Sequence, residues 1–215
     1  MKHKLLTTAS VIAFAFALVF SIVTVSRLAQ TELASSKLPP VLNTAKASSA
    51  PETATANEMK ELPRDTFIAA GKAKLAPAFS EGVWINSDAL TLESLRGRVV
   101  VVDFWTFGCY NCRNTLPALK GWDARYRDKG LTIIGVHSPE FDREKNEQNV
   151  RRETKSLGIN YAVVTDNDYA TWHAYGVNAW PTLIVLDKQG RIRFAHVGEG
   201  AYDETENVIK KLLAE

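Results

Sequence analysis

The sequence predicts a three-layer α/β domain with a mixed central sheet, preceded by an N-terminal transmembrane helix and a flexible linker. Three observations predict it. From about Ala76 to Glu215, apolar runs of strand length alternate with segments of helix length. The chain then closes as strand, turn, strand, helix, which sets antiparallel pairs beside parallel ones. Ahead of this region stand an uncharged apolar run and then a long polar stretch without aromatic residues until Phe67.

The apolar run is "LLTTASVIAFAFALVFSIVTV", Leu5 to Val25. At a rise of about 1.5 Å per residue it spans roughly the 30 Å hydrocarbon core of a bilayer. Lys2 and Lys4 precede it and favour a cytoplasmic N-terminus, so that everything after Ser26 lies outside. Residues 1–26 are therefore read as a membrane anchor, with a cleaved secretory signal as the alternative. The run exceeds the ~7–15 apolar residues usual in a signal, and no Ala-x-Ala site follows closely. Either reading exports the rest of the chain. Residues 27–75 turn to Ala, Ser, Thr, Pro and Lys, too little apolar surface to offset the entropy of ordering. They read as a flexible linker, with a short helix expected near Glu58–Ala70.

Residues 76–215 are of single-domain size. "GVWINS" and "LTLESL" read as short strands or turns, and "RVVVVDFW" as a central strand covered on both faces, because its apolar run is unbroken. A helix is expected from about Cys109 to Asp128, then the strand "LTIIGVHS", a polar helix over about Asp142–Leu157, the short strand "YAVVTD" and a helix in "NDYATWHAYGV". "TLIVLDKQGRIRFAHVG" gives two strands joined by a glycine-bearing turn. "DETENVIKKLLAE" closes the chain as an amphipathic helix, with Asp203 expected as N-cap and Glu206 at its third position. In such sheets function gathers at the carboxyl ends of parallel strands. Cys109 and Cys112 fall beyond one such end, His137 and Glu140 beyond another.

Cys109 and Cys112 are the only cysteines. A structural zinc site needs four ligands, yet the chain has only four histidines, one of them His3, and no second Cys-x-x-Cys. Arg113 excludes the Cys-x-x-Cys-His haem pattern. A purely structural disulfide would close too short a loop to constrain the unfolded chain much. A redox pair fits better: at a helix start, unpaired N–H groups and the helix dipole favour thiolate on the first cysteine, while the second lies one turn inward. The net charge of +2, from intermixed acidic and basic residues, gives no case for a nucleic-acid partner.

"VDFWTFGCYNCRNTLP" resembles the active-site segment of the thioredoxin superfamily, and "YGVNAWPTLIVLDKQG" resembles its proline loop. "GVWINSDALTLESLRGRVVVVDFW" is similar to the opening of membrane-tethered TlpA-like and DipZ-like thioredoxins. "IGVHSPEFDREKN", "DNDYATWHAYGV" and "RIRFAHVGEGAYDETE" look DipZ-like in particular. The resemblance covers nearly all of residues 78–213. It implies a thioredoxin-like fold in which Cys109 attacks, Cys112 resolves, and Asp103 is a buried carboxylate serving as proton shuttle. It further implies a cis bond before Pro181, a Trp180 backbone that pairs with an extended substrate, a helix-kinking Pro117, and Trp105 as an aromatic flanking the site. His137 and Glu140 are candidates for tuning the thiols, with packing or capping as the plainer roles.

Two departures leave the redox potential open: Tyr110-Asn111 lies between the cysteines, and Thr115 stands where several TlpA-like reductases carry glutamate. Thr106-x-x-Cys109 fits half of the peroxiredoxin signature Pro-x-x-x-Thr-x-x-Cys, whose proline position is Val102 here. A peroxiredoxin-like peroxidase and a copper-binding thiol chaperone are thus the alternatives to an exported thiol–disulfide oxidoreductase, expected to act as a reductase. No cofactor is expected. The resemblance implies protein thiols and disulfides as partners, apocytochrome c or other exported proteins among them. A separate membrane thiol carrier is expected as electron donor, since the anchor has no cysteine.

Overall fold

The computed structural model describes residues 64–215. Six strands form one sheet: β1 (Trp84–Ile85), β2 (Val99–Trp105), β3 (Leu131–His137), β4 (Ala162–Thr165), β5 (Thr182–Leu186) and β6 (Ile192–Val197), in the spatial order β1-β4-β3-β2-β5-β6. The pairs β2–β3 and β3–β4 are parallel, while β1–β4, β2–β5 and β5–β6 are antiparallel, so the sheet is mixed as expected. Helices α1 (Tyr110–Tyr126), α2 (Glu147–Ser156), α3 (Ala170–Ala174) and α4 (Tyr202–Ala214) complete the domain.

The period of two along β2 sorts its side chains into two cores. Val99, Val101 and Trp105 face a cluster that includes Leu116, Leu119 and Trp122 of α1 and Val208, Ile209 and Leu212 of α4. Val100, Val102 and Phe104 face a second cluster with Trp172 of α3, Tyr175 and Val177. Both faces are covered, which is why the strand reads as an unbroken apolar run. Asp103, between Val101 and Trp105, is thereby directed to the α1 side of the sheet.

"LTLESL", read as a short strand or turn, forms a turn over residues 92–97 that buries Leu92 and Leu95. Other elements differ from the sequence reading. The polar helix after β3 is split: a 3-10 turn, Asp142–Glu144, precedes α2, whose N-cap Asn146 accepts from the Asn149 N–H at 3.2 Å. Asp203 does not cap α4. Ala201 does, at φ 47°, and Glu206 is drawn away to α1, where Trp122 Nε1 (3.2 Å), Tyr126 OH (2.5 Å) and Arg125 (3.1 Å) donate to it.

Within the span read as linker, residues 64–75 lie along β6. Asp65 and Ile68 donate to the carbonyls of Ala195 and Arg193, both at 2.8 Å, and Ile192 N–H donates to Lys74 O at 2.9 Å. Backbone pairing here covers the outer edge of β6, which would otherwise expose a row of unpaired donors and acceptors. Arg193, 2% exposed, clamps the strap by donating to Ile68 O at 2.6 Å while paired with Asp187 and Glu215. Only the single turn Ala70–Lys72 is helical in this stretch. The apolar run Leu5–Val25 lies outside the described residues, among which no helix is long and apolar enough to cross a membrane.

Candidate active site

β2 ends at Trp105, and the turn Thr106–Phe107–Gly108 delivers the chain to Cys109, the N-cap of α1. Its sulfur accepts the Cys112 backbone N–H at 3.2 Å, satisfying one of the donors a helix start leaves open. Cys109 is partly exposed. Cys112, one turn on, is 1% exposed. Burial pushes the Cys112 thiol well above the ordinary range. Its hydrogen bond with Cys109 adds to this, and a backbone contact with Thr106 opposes it. The two sulfurs are thus chemically unequal: one reachable, the other held back as a thiol.

Asp103 lies beneath them, 1% exposed, and neither carboxyl oxygen has a partner among the described residues. Burial alone raises its pKa from 3.8 to about 8. Tyr161, fully buried with an unpartnered hydroxyl, is pushed up by burial first and then by Asp103, Asp123 and Cys112. Trp105 is a core residue, packed with Cys112 in the α1-side cluster and edge-on to His137 at 5.2 Å. Pro117 sits inside α1.

The proline loop meets this site by register. The Trp180–Pro181 bond is cis. Pro181 directly precedes Thr182, which pairs with Phe104, one residue from the end of β2. Trp180 packs on the same cluster as Cys109, and its indole donates to Ser138 O at 3.1 Å, tying the loop to the end of β3. Among the described residues the Trp180 backbone N–H and C=O have no backbone partner.

His137 and Glu140 part company. His137, 0% exposed, is stacked on Phe107, whose N–H donates to His137 Nε2 at 3.4 Å. Burial lowers its pKa to about 4, partly opposed by the charge of Glu144. Glu140 is exposed, and only its backbone points inward, donating to Glu144 Oε2 at 2.7 Å. The carboxylate buried beside the cysteine turn is therefore Glu144, which the sequence reading missed. It stands in the run Asp142-Arg143-Glu144-Lys145, a pattern usually found on a solvated face.

A family model described as the AhpC/TSA family matches residues 73–195. The chain belongs to the AhpC/TSA family. Protein DipZ of Mycobacterium bovis is 42% identical over 133 residues, which cover 60% of this chain and 19% of DipZ, so the chain spans about a fifth of that relative. Thiol-disulfide oxidoreductase ResA of Bacillus anthracis is 26% identical over 128 residues, 60% of this chain and 71% of ResA. Among solved structures, a thiol-disulfide isomerase of Corynebacterium glutamicum matches with TM-score 0.59 and 26% identity, covering 65% of this chain and 97% of that one. A thiol:disulfide interchange protein of Chlorobium tepidum gives 0.57 and 25%, covering 67% and 99%. The fold is thioredoxin-like, and ResA and the two solved structures are named for thiol–disulfide chemistry.

Proposed function

We propose that this chain is an exported, membrane-tethered thiol–disulfide oxidoreductase that reduces disulfides in client proteins. One observation carries the reading: a reachable Cys109 stands at a helix start, over a buried Cys112 and an unpartnered buried Asp103. The Cys109 thiolate attacks one sulfur of a client disulfide. A Cys109–client mixed disulfide forms, and the first client sulfur leaves as thiolate and takes up a proton. Asp103, with a pKa of about 8, takes the proton from the Cys112 thiol. Cys112 then attacks Cys109 Sγ and releases the second client thiolate, leaving a Cys109–Cys112 disulfide and a reduced client. Two electrons and two protons from a separate membrane thiol carrier restore the dithiol.

The free backbone groups of Trp180 favour an extended client segment pairing there as an added strand, and Tyr110, 75% exposed beside Cys109, offers it an apolar surface. The uncharged run Leu5–Val25 supports the tether, and apocytochrome c and other exported proteins are the client class the family resemblance favours. Turnover of a protein disulfide by the wild type, lost in both Cys109→Ser and Cys112→Ser, tests the reading. Retention of activity in either variant would refute it.

The AhpC/TSA match keeps a peroxidase reading in play. Val102 in place of the signature proline, and a second cysteine one turn behind the first, favour disulfide exchange instead. Peroxide consumption as fast as disulfide reduction would reverse that preference. A copper chaperone would need two thiolates, and the burial of Cys112 works against the second.

A further inference from the structure

Glu144 is 0% exposed yet belongs to none of the steps above. Its Oε2 accepts three hydrogen bonds: from Thr106 Oγ1 at 2.6 Å, Glu140 N–H at 2.7 Å and Phe141 N–H at 3.1 Å. Three donors on one oxygen are the pattern of a carboxylate. Its Oε1 is buried with no partner among the described residues. Capping the 3-10 turn would need only a neutral acceptor, so the second oxygen and the charge are left unexplained by structure alone. That oxygen lies against Gly108: a Cβ built there would stand 2.0 Å from it. Gly108 is the residue before Cys109.

We propose that Glu144 is a positioning residue for the thiol chemistry, holding the Thr106–Gly108 turn through Thr106 and setting a buried negative charge against it that disfavours the Cys109 thiolate. Disfavouring thiolate stabilises the disulfide relative to the dithiol, so the pair becomes a stronger reductant. The inference rests on the redox reading of Cys109 and Cys112.

The other charges around Glu144 set the sign of the test. His137 on β3 faces it through Thr106 and is neutral above about pH 4. Asp103 on β2 lies under Cys112, and Tyr169, at the start of α3, donates to Pro139 O and is uncharged. Lys145 is exposed and paired with Asp142. An opposing charge near Gly108 comes from Arg143, whose guanidinium lies 3.2 Å from the same Cβ position. Arg143 is solvated and screened, whereas Glu144 is enclosed, so Glu144 dominates.

Labelling of Cys109 by iodoacetamide in the reduced full chain, followed against pH, and equilibration with a glutathione redox buffer test the proposal. Glu144→Gln keeps the shape and an acceptor, and should label Cys109 about three- to tenfold faster in mild acid, with the dithiol favoured by a like factor. Arg143→Gln should label more slowly. A structural role alone would lower the melting temperature of Glu144→Gln without moving either profile, and that result overturns the proposal, as does slower labelling. If Glu144→Gln does not fold, Gly108→Ala, which forces the carboxylate to withdraw, must accelerate labelling; no change or a fall overturns the proposal equally. A wild type lacking any two-electron exchange would instead sink the redox reading.

Discussion

Replacing Asp103 by Asn should make the protein more stable in alkali while slowing its chemistry. The carboxyl has no partner and is raised from 3.8 to about 8 by burial. An acid raised in the folded state keeps its proton there while the unfolded chain has lost it. Its contribution to stability is therefore fully present below about pH 4 and is lost as pH rises towards about 8. The span corresponds to on the order of 5 kcal/mol. Asn cannot ionise, so the variant lacks this loss. It carries instead a pH-independent cost of about 1–3 kcal/mol for its own unpartnered amide. Denaturant unfolding of both proteins should then show the variant less stable by about 1–3 kcal/mol at about pH 4, and more stable by about 2–4 kcal/mol at about pH 9. Turnover of a protein disulfide should fall by about 10²-fold, the lower end of what a positioned base supplies. A variant whose stability relative to wild type is flat with pH would refute the burial argument. Undiminished turnover would refute the proton-shuttle role.

Iodoacetamide should modify Cys109 well before Cys112 in the folded dithiol, with peptide mass spectrometry reading the order; preferential loss of the Cys112 thiol would reverse the assigned roles. The Cys109–Cys112 couple, equilibrated against glutathione, should lie nearer the roughly −270 mV of thioredoxin than the −120 mV of a strong oxidant, and a value near the latter would turn the proposed direction around. Glu206→Ala should destabilise the packing of α1 on α4 by about 1–3 kcal/mol at neutral pH. Because its partners hold Glu206 down to about 2 from 4.5, with Tyr126 OH the largest contributor, wild type and variant should converge as acid unfolding proceeds below about pH 4. Chemical denaturation across that range reads it, and a constant gap would contradict it.

What was legible in the sequence is what side-chain pattern controls. β2 and β3 announce themselves because both faces are buried, whereas the buried place of Asp103 came from the family resemblance. The cysteine pair is legible from spacing, and the proline loop from its resemblance. Features governed by backbone were not. The strap at residues 64–75 holds to β6 largely through main-chain pairing, which leaves no apolar period to read. Ala201 adopts a left-handed conformation that nothing in its side chain announces, so the expected cap at Asp203 failed. Glu144 stayed hidden for a third reason: one 3-10 turn rotates it out of a charged run and under the cysteine turn, while Glu140, at the strand end the pattern favoured, faces solvent.

The central claim is that Cys109 exchanges disulfides with client proteins and Cys112 completes the exchange. The most direct measurement uses the Cys112→Ser chain, which retains the attacking sulfur and lacks the resolving one. Incubated with an oxidised protein substrate, it should accumulate a covalent adduct that reductant releases, with peptide mapping locating the bond at Cys109. The wild type under the same conditions should show none at steady state. An adduct absent from the variant, or equally abundant in the wild type, would contradict the account.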